Sequence, residues 1–165
     1  MSSPRRRSVV GVWALAAGLA VACTDSPDGR IVLRWTGGDT GAVTLPARAR
    51  RCGQGPLELM GTAGDTGFGI LVDPVAGGIA GSYPVAEGKR AGRGAQVAAR
   101  WTDSMRVAGY RGTSGTAILA EEDSTVSGAV RAEGFDSAAG RRIALQATFR
   151  RIAVTSCDTT ESGVP

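Results

Sequence analysis

Apolar and polar residues alternate with a period of two through most of the chain after position 30. Ile31, Leu33 and Trp35, for example, fall on one side of an extended backbone, and residues 32 and 34 fall on the other. Short runs of this kind recur between clusters of Gly, Asp and Ser, a pattern typical of antiparallel strands joined by tight turns. The pattern predicts an all-β domain, either an antiparallel β-sandwich or a small β-barrel of about 8–10 strands. The predicted strands cover residues 31–35, 43–47, 57–60, 68–72, 79–85, 97–101, 106–110, 116–120, 126–131 and 143–157.

The alternation changes phase inside the last predicted strand. Residues 143 to 149 keep one parity, and Ile152 and Val154 take the other, with Arg150 and Arg151 between the two sets. A β-bulge at the two arginines would direct both apolar sets inward. A strand that passes from one sheet to another there would have the same effect, and both alternatives favour a curved or closed sheet.

The first 22 residues have the pattern of a helical export signal. Three arginines at positions 5–7 precede an apolar stretch from Val9 to Ala22, which is short for a membrane span. The stretch ends in Leu19-Ala20-Val21-Ala22-Cys23, which resembles the lipobox of bacterial lipoproteins. The resemblance implies cleavage before Cys23, a lipid on its thiol, and a membrane anchor. In such proteins an Asp directly after the cysteine favours retention in the inner membrane, and here that position is Thr24. We therefore expect the protein to be anchored at the periplasmic face of the outer membrane. A cleaved soluble form and an uncleaved anchor are the alternatives.

This assignment divides the chain into a signal peptide (1–22), a polar tether (23–29), a single β domain (30–158) and a disordered tail (159–165). It also changes the charge. The full chain has 19 basic and 15 acidic residues, a net of +4, but residues 1–22 hold three arginines and no acid, so the mature balance is 16 against 15, or +1. A nucleic-acid partner is therefore not expected. Basic clusters remain at 48–51, 89–93, 141–142 and 150–151, either as solvated strand edges or as a patch for an acidic ligand.

The three cysteines fit the same scheme. With Cys23 lipidated, Cys52 and Cys157 remain, and an even pair in an exported chain predicts a disulfide. The bridge would join an early strand to the last one. The alternative is a free reactive thiol, for which the chain has no histidine to act as a base.

The absence of histidine also excludes Ser-His-Asp and Cys-His catalysis and histidine-ligated zinc. Asp39-Thr40-Gly41 and Asp65-Thr66-Gly67 resemble the active-site triplet of aspartic proteases, but glycines precede them instead of a hydrophobic strand, so hairpin turns are the favoured interpretation. A turn is likewise expected at residues 112–115. The acidic residues 121–123 could bind calcium, but a solvated turn is favoured. We expect no catalytic residue, no metal and no cofactor.

Trp35 and Trp101 occupy positions that face inward in the predicted strands. Core packing is the first interpretation, and a contribution to an apolar pocket is the second. The sequence therefore predicts a lipid-anchored cell-envelope β domain with a non-enzymatic binding or structural role. A lipocalin-like carrier of a small apolar ligand is the alternative, together with an inhibitor of a secreted hydrolase that acts through a loop such as 88–94. The expected partners are the membrane, through Cys23, and an envelope protein or small apolar ligand.

Overall fold

A computed structural model describes residues 28–157 except 39, 75–77, 89–91 and 104–105. The described residues form nine β-strands and no helix, as the period-two pattern predicts. They include no helix of the length and hydropathy needed to cross a membrane. The strands are β1 Arg30–Thr36, β2 Gly41–Arg51, β3 Leu57–Ala63, β4 Thr66–Asp73, β5 Gly81–Pro84, β6 Gly94–Asp103, β7 Arg106–Glu122, β8 Thr125–Asp136 and β9 Arg142–Ser156.

Eight of these strands close into an antiparallel barrel, so the barrel alternative is confirmed over the sandwich. Going round the wall, the order is β1-β2-β3-β4-β6-β7-β8-β9, and β9 returns to β1. Most neighbours in the wall are also neighbours in the chain, since tight hairpins connect antiparallel strands. The ninth strand, β5, lies outside this ring and pairs with the second half of β7, where β6 no longer does.

The inward-facing side chains form one core. Ile31 and Leu33 are fully buried on β1, and Trp101 on β6 is 2% exposed. Within β1 and β3, the positions that alternate with the buried ones are half-buried or exposed, so the burial pattern repeats the period of two seen in the sequence. Other large, fully buried side chains are Tyr83, Tyr110, Leu45, Leu57, Leu59, Ile70, Ile79, Ile143 and Leu145.

The phase break in the last strand is a bulge, the first of the two alternatives that the sequence left open. Phe149 pairs with Gly128 and Ile152 pairs with Val126, so β9 has one more residue than β8 across this interval. Arg151 has a φ of +47°, and its backbone N–H donates to Ser127 Oγ at 2.9 Å. Both apolar sets therefore face the core. Beyond the bulge, β9 leaves β1 and pairs with β2 in parallel over residues 154–156.

This parallel pairing ends at the disulfide between Cys52 and Cys157. The two Cα atoms are 4.7 Å apart, and the Cys157 N–H donates to the Arg51 carbonyl at 3.3 Å. The predicted bridge is confirmed, and it does join an early strand to the last one.

The turn expected at residues 112–115 was wrong. The segment lies inside β7, a single strand of 17 residues, with a register shift between Gly112 and Ser114. Gly115 has a φ of +129°, and a Cβ there would overlap the backbone of Arg131. Glycines that look like a turn in the sequence instead allow a long strand to bend against β8.

Several sequence predictions lie outside the described residues: the signal peptide 1–22, the lipid site Cys23, residues 24–27 of the tether, and the tail 159–165. The described chain starts at Asp28, which forms a bridge with Arg150 just before β1 begins.

Candidate functional site

A groove of about 620 Å³ lies on the outer wall of the barrel. Its floor is formed by the outward-facing positions of β4 and β6. Glu58 and Met60 of β3 form one side, and Arg111 of β7 with the segment 86–88 forms the other. The groove is therefore open to solvent along the wall, and the core residues Ile70 and Val97 also line it.

Two local features create the groove. Gly69 and Ala98 occupy the floor, and a Cβ on Gly69 would meet only the Met60 side chain, at 4.0 Å. The side formed by residues 86–88 stands above the floor because the chain leaves β5 and folds over the start of β6. There the Val85 N–H donates to the Gly115 carbonyl and the Ala86 N–H donates to the Ala95 carbonyl, both at 3.0 Å. Small residues thus lower the floor while two backbone hydrogen bonds hold the side in place.

The groove is apolar along its floor and charged at its edges. Leu71 and Met60 are half-buried on the floor side. The Glu58 carboxylate pairs with the Arg50 guanidinium, whereas no described carboxylate lies within ion-pair distance of Arg111. Glu87 lines the same side of the groove as Arg111. An elongated apolar group fits this geometry, with a polar end placed between these two charges.

The tryptophan pair named in the sequence lies in the core. The rings of Trp35 and Trp101 stack with centroids 4.8 Å apart, and the Trp35 ring covers Gly41, where a Cβ would overlap it. Neither tryptophan lines the outer-wall groove or the two smaller cavities beside β2 and β6. This geometry favours core packing for the pair, and the pocket interpretation stays a prediction for ligand-binding assays.

A group of buried polar atoms lies near the barrel end where β8 ends. Asp136 has no exposed surface; its carboxylate accepts from the Ala138 N–H at 2.9 Å and lies 3.7 Å from the Arg141 guanidinium. Tyr110, the register partner of Asp136, has a buried hydroxyl with no hydrogen-bond partner among the described residues. Burial, assisted by the charge of Glu133, raises the pKa of Tyr110 well above its ordinary value. This side chain therefore stays neutral as a core residue.

The residues weighed for catalysis or metal binding are not brought together where the structure describes them. Asp65 is exposed in the β3–β4 hairpin turn after Gly64, as expected, and Asp39 lies outside the described residues. In the acidic stretch, the Glu121 carboxylate accepts from the Ile79 N–H at 3.1 Å, and Asp123 forms the β7–β8 turn with φ of +46°. No group of three or more acidic or cysteine side chains suited to a metal occurs among the described residues.

Comparison with known proteins gives no assignment. No protein-family profile, curated protein or solved structure matches the chain significantly. The function must therefore be argued from the residues and the geometry alone.

Proposed function

We propose that this chain is an exported bacterial lipoprotein in which a lipid on Cys23 holds a non-enzymatic binding barrel at the membrane, at the periplasmic face of the outer membrane. The observation that supports the lipid anchor is the number of cysteines and the way in which they pair. The chain has three cysteines, and the Cys52–Cys157 disulfide takes the two outside the lipobox-like segment. A long-range disulfide is typical of exported proteins. Cys23 is thus left for the lipid.

The binding role rests on the outer-wall groove. Its largely apolar floor suits a ligand, or a partner segment, with an apolar body, and Arg111, which has no described carboxylate within ion-pair distance, can accept an acidic group. The chain has no histidine, the side chain that most often acts as a general base near neutral pH, and we therefore favour binding over catalysis.

Mass spectrometry of the protein from a membrane fraction tests the anchor. We expect residues 1–22 to be absent and Cys23 to carry a diacylglyceryl group. A Cys23→Ala variant should lose the lipid and keep the Cys52–Cys157 bridge. An unmodified Cys23 in the wild-type protein would contradict the proposal.

Binding of 1-anilinonaphthalene-8-sulfonate tests the groove, because this probe joins an apolar ring system to an anionic group. Ala98→Trp places an indole on the floor of the groove and should weaken binding of the probe at least tenfold. Arg111→Gln should weaken it about two- to fivefold, because it removes an exposed ion pair between Arg111 and the sulfonate of the probe. Ala144→Trp is the matched control, since Ala144 is an equally exposed outward position on β9 away from the groove.

The same titration separates the groove from the barrel interior. Trp101→Phe should leave the affinity unchanged if the probe binds the groove. Loss of binding in Trp101→Phe, with normal binding in Ala98→Trp, would reject the groove and favour the carrier function. Near-ultraviolet circular dichroism of each variant verifies that the barrel is folded.

A further inference from the structure

The topology gathers five arginines that are far apart in the sequence. Arg30 opens β1 and is the register partner of Arg150 on one side and of Pro46 on the other. Arg48 and Arg50 continue the outward parity of β2 beyond Pro46, and Arg151 follows Arg150 at the bulge. All five are exposed. We call Arg30, Arg48, Arg50, Arg150 and Arg151 the arginine patch.

The patch has an excess of positive charge. Acidic side chains paired with it include Asp28, whose carboxylate lies 3.5 Å from Arg150 and 4.0 Å from Arg151, and Glu58, which pairs with Arg50. The five arginines and these two carboxylates together carry a formal charge of +3. These pairs are weak because they are exposed; Arg150 and Asp28, for example, are 54% and 58% exposed. The rest of the mature chain has 11 basic and 13 acidic residues, so the charge is strongly uneven.

The patch also lies where the anchor enters. Asp28 is five positions after Cys23, so covalent geometry keeps the two residues within about 18 Å of each other. Asp28 contacts two arginines of the patch directly. A tether of this length holds the patch within about two screening lengths of a surface at physiological ionic strength, where each is ~8 Å.

A depression of about 280 Å³ lies within the patch. Arg48, Arg50 and Thr155 line it, together with Met60 and Glu58. Two guanidiniums beside a concave surface match the size and charge of a phosphate headgroup. On the far side of β8, the acidic turn at residues 121–123 borders this end of the barrel. It would be repelled by the same surface and would tilt the barrel onto the arginine side.

We propose that the arginine patch docks on the anionic headgroups of the membrane that holds the anchor, so that the barrel lies with the outer face of β1, β2 and β9 against the lipid. This inference rests on the proposed lipid anchor for its geometry. The two chains of a diacylglyceryl group are enough for attachment, so the patch would set the orientation of the barrel on the membrane, since clustered basic residues are attracted to anionic lipid.

Vesicle flotation of the mature chain, residues 23–165 with Cys23→Ser, tests the patch without the lipid. The probe is a vesicle of 30% phosphatidylglycerol and 70% phosphatidylcholine at low salt, with pure phosphatidylcholine as the neutral comparison. We expect binding to the anionic vesicles only, and its loss in 0.5 M salt. Arg48→Gln with Arg150→Gln should weaken binding about 25-fold, since each arginine near an anionic surface contributes about fivefold.

Arg100→Gln with Arg131→Gln is the matched control, because it removes the same charge from exposed positions of β6 and β8 outside the patch. Equal losses in the two double variants, or no binding of the parent chain to anionic vesicles, would overturn the proposal. Binding of soluble heparin through Arg48 and Arg150 without vesicle binding would also overturn it, since the patch would then serve a soluble polyanion. A failed anchor is detected separately, as an unmodified Cys23 by mass spectrometry.

Discussion

Removal of the disulfide should destabilise the barrel mainly through the unfolded chain. The bridge closes a loop with a sequence separation of 105 residues. For a loop near 100 residues, the chain-entropy account gives a loss of about 4.7 kcal/mol at 25 °C when both cysteines are replaced by alanine. Cys52 is exposed and Cys157 only half-buried, so alanine removes little buried surface from the folded state. For a domain of about 130 residues, this loss lowers Tm by about 17 °C.

The assay is urea unfolding of the mature chain and of Cys52→Ala with Cys157→Ala. The urea midpoint should fall and the m-value should rise, since the unfolded chain exposes more surface once the bridge is gone. Reduction of the parent chain should reproduce the double variant. A loss below about 1.5 kcal/mol, with an unchanged m-value, would refute the entropic reasoning. It would mean that the parallel β2–β9 pairing holds this end of the barrel without help.

Three further results are expected. Gly128→Ala should cost about 1–3 kcal/mol, because its Cβ would overlap a backbone carbonyl of β7, whereas Gly69→Ala on the open groove floor should be near neutral in the same thermal melts. Because burial raises the pKa of Tyr110, its hydroxyl proton is lost at lower pH in the unfolded chain than in the folded one, so the free energy of unfolding should fall as pH rises above about 10. Tyr110→Phe should flatten that part of the curve of stability against pH, and an unchanged curve would contradict the burial argument. Trp101→Ala should cost about 3–5 kcal/mol in urea unfolding, and a cost below about 1 kcal/mol would show that the stacked pair does not support the core.

The architecture could be predicted because the period-two pattern reports which face of each strand is buried. It indicated the inward set of β1 and the bulge at Arg150 and Arg151, since both depend on local parity alone. The choice between sandwich and barrel depends on whether β7 pairs with β8 while β9 pairs with β1, which is a relation between distant strands. The turn expected at 112–115 was wrong for the same reason: glycines allow a bulge as readily as a turn, and only the partner strand decides between them.

The candidate groove could not be predicted in this way. Its floor depends on Gly69 and Ala98, which are unremarkable in sequence and become neighbours only when β4 pairs with β6. The intervening β5 is excluded from the ring, and this exclusion carries the segment 86–88 onto the outer wall. A small outward residue on each of two strands is the only local signal, and many solvated strands share it.

The bulge in β9 connects the covalent and electrostatic features of this end of the barrel. The bulge lies where β9 runs past the start of β1, since Arg30 is already opposite Arg150, and beyond it residues 154–156 pair with β2. Arg151, the residue with positive φ at the bulge, lies beside Asp28, and the pairing with β2 ends at the Cys52–Cys157 disulfide. The disulfide, part of the arginine patch and the start of β1 therefore meet within a few residues of one local irregularity. If the lipid site precedes β1, as proposed, selection for attachment and selection for stability act on the same few residues. A variant that deletes Arg151 removes the extra residue and one arginine of the patch but leaves Ile152 opposite Val126, so it should keep the disulfide and weaken vesicle binding about fivefold.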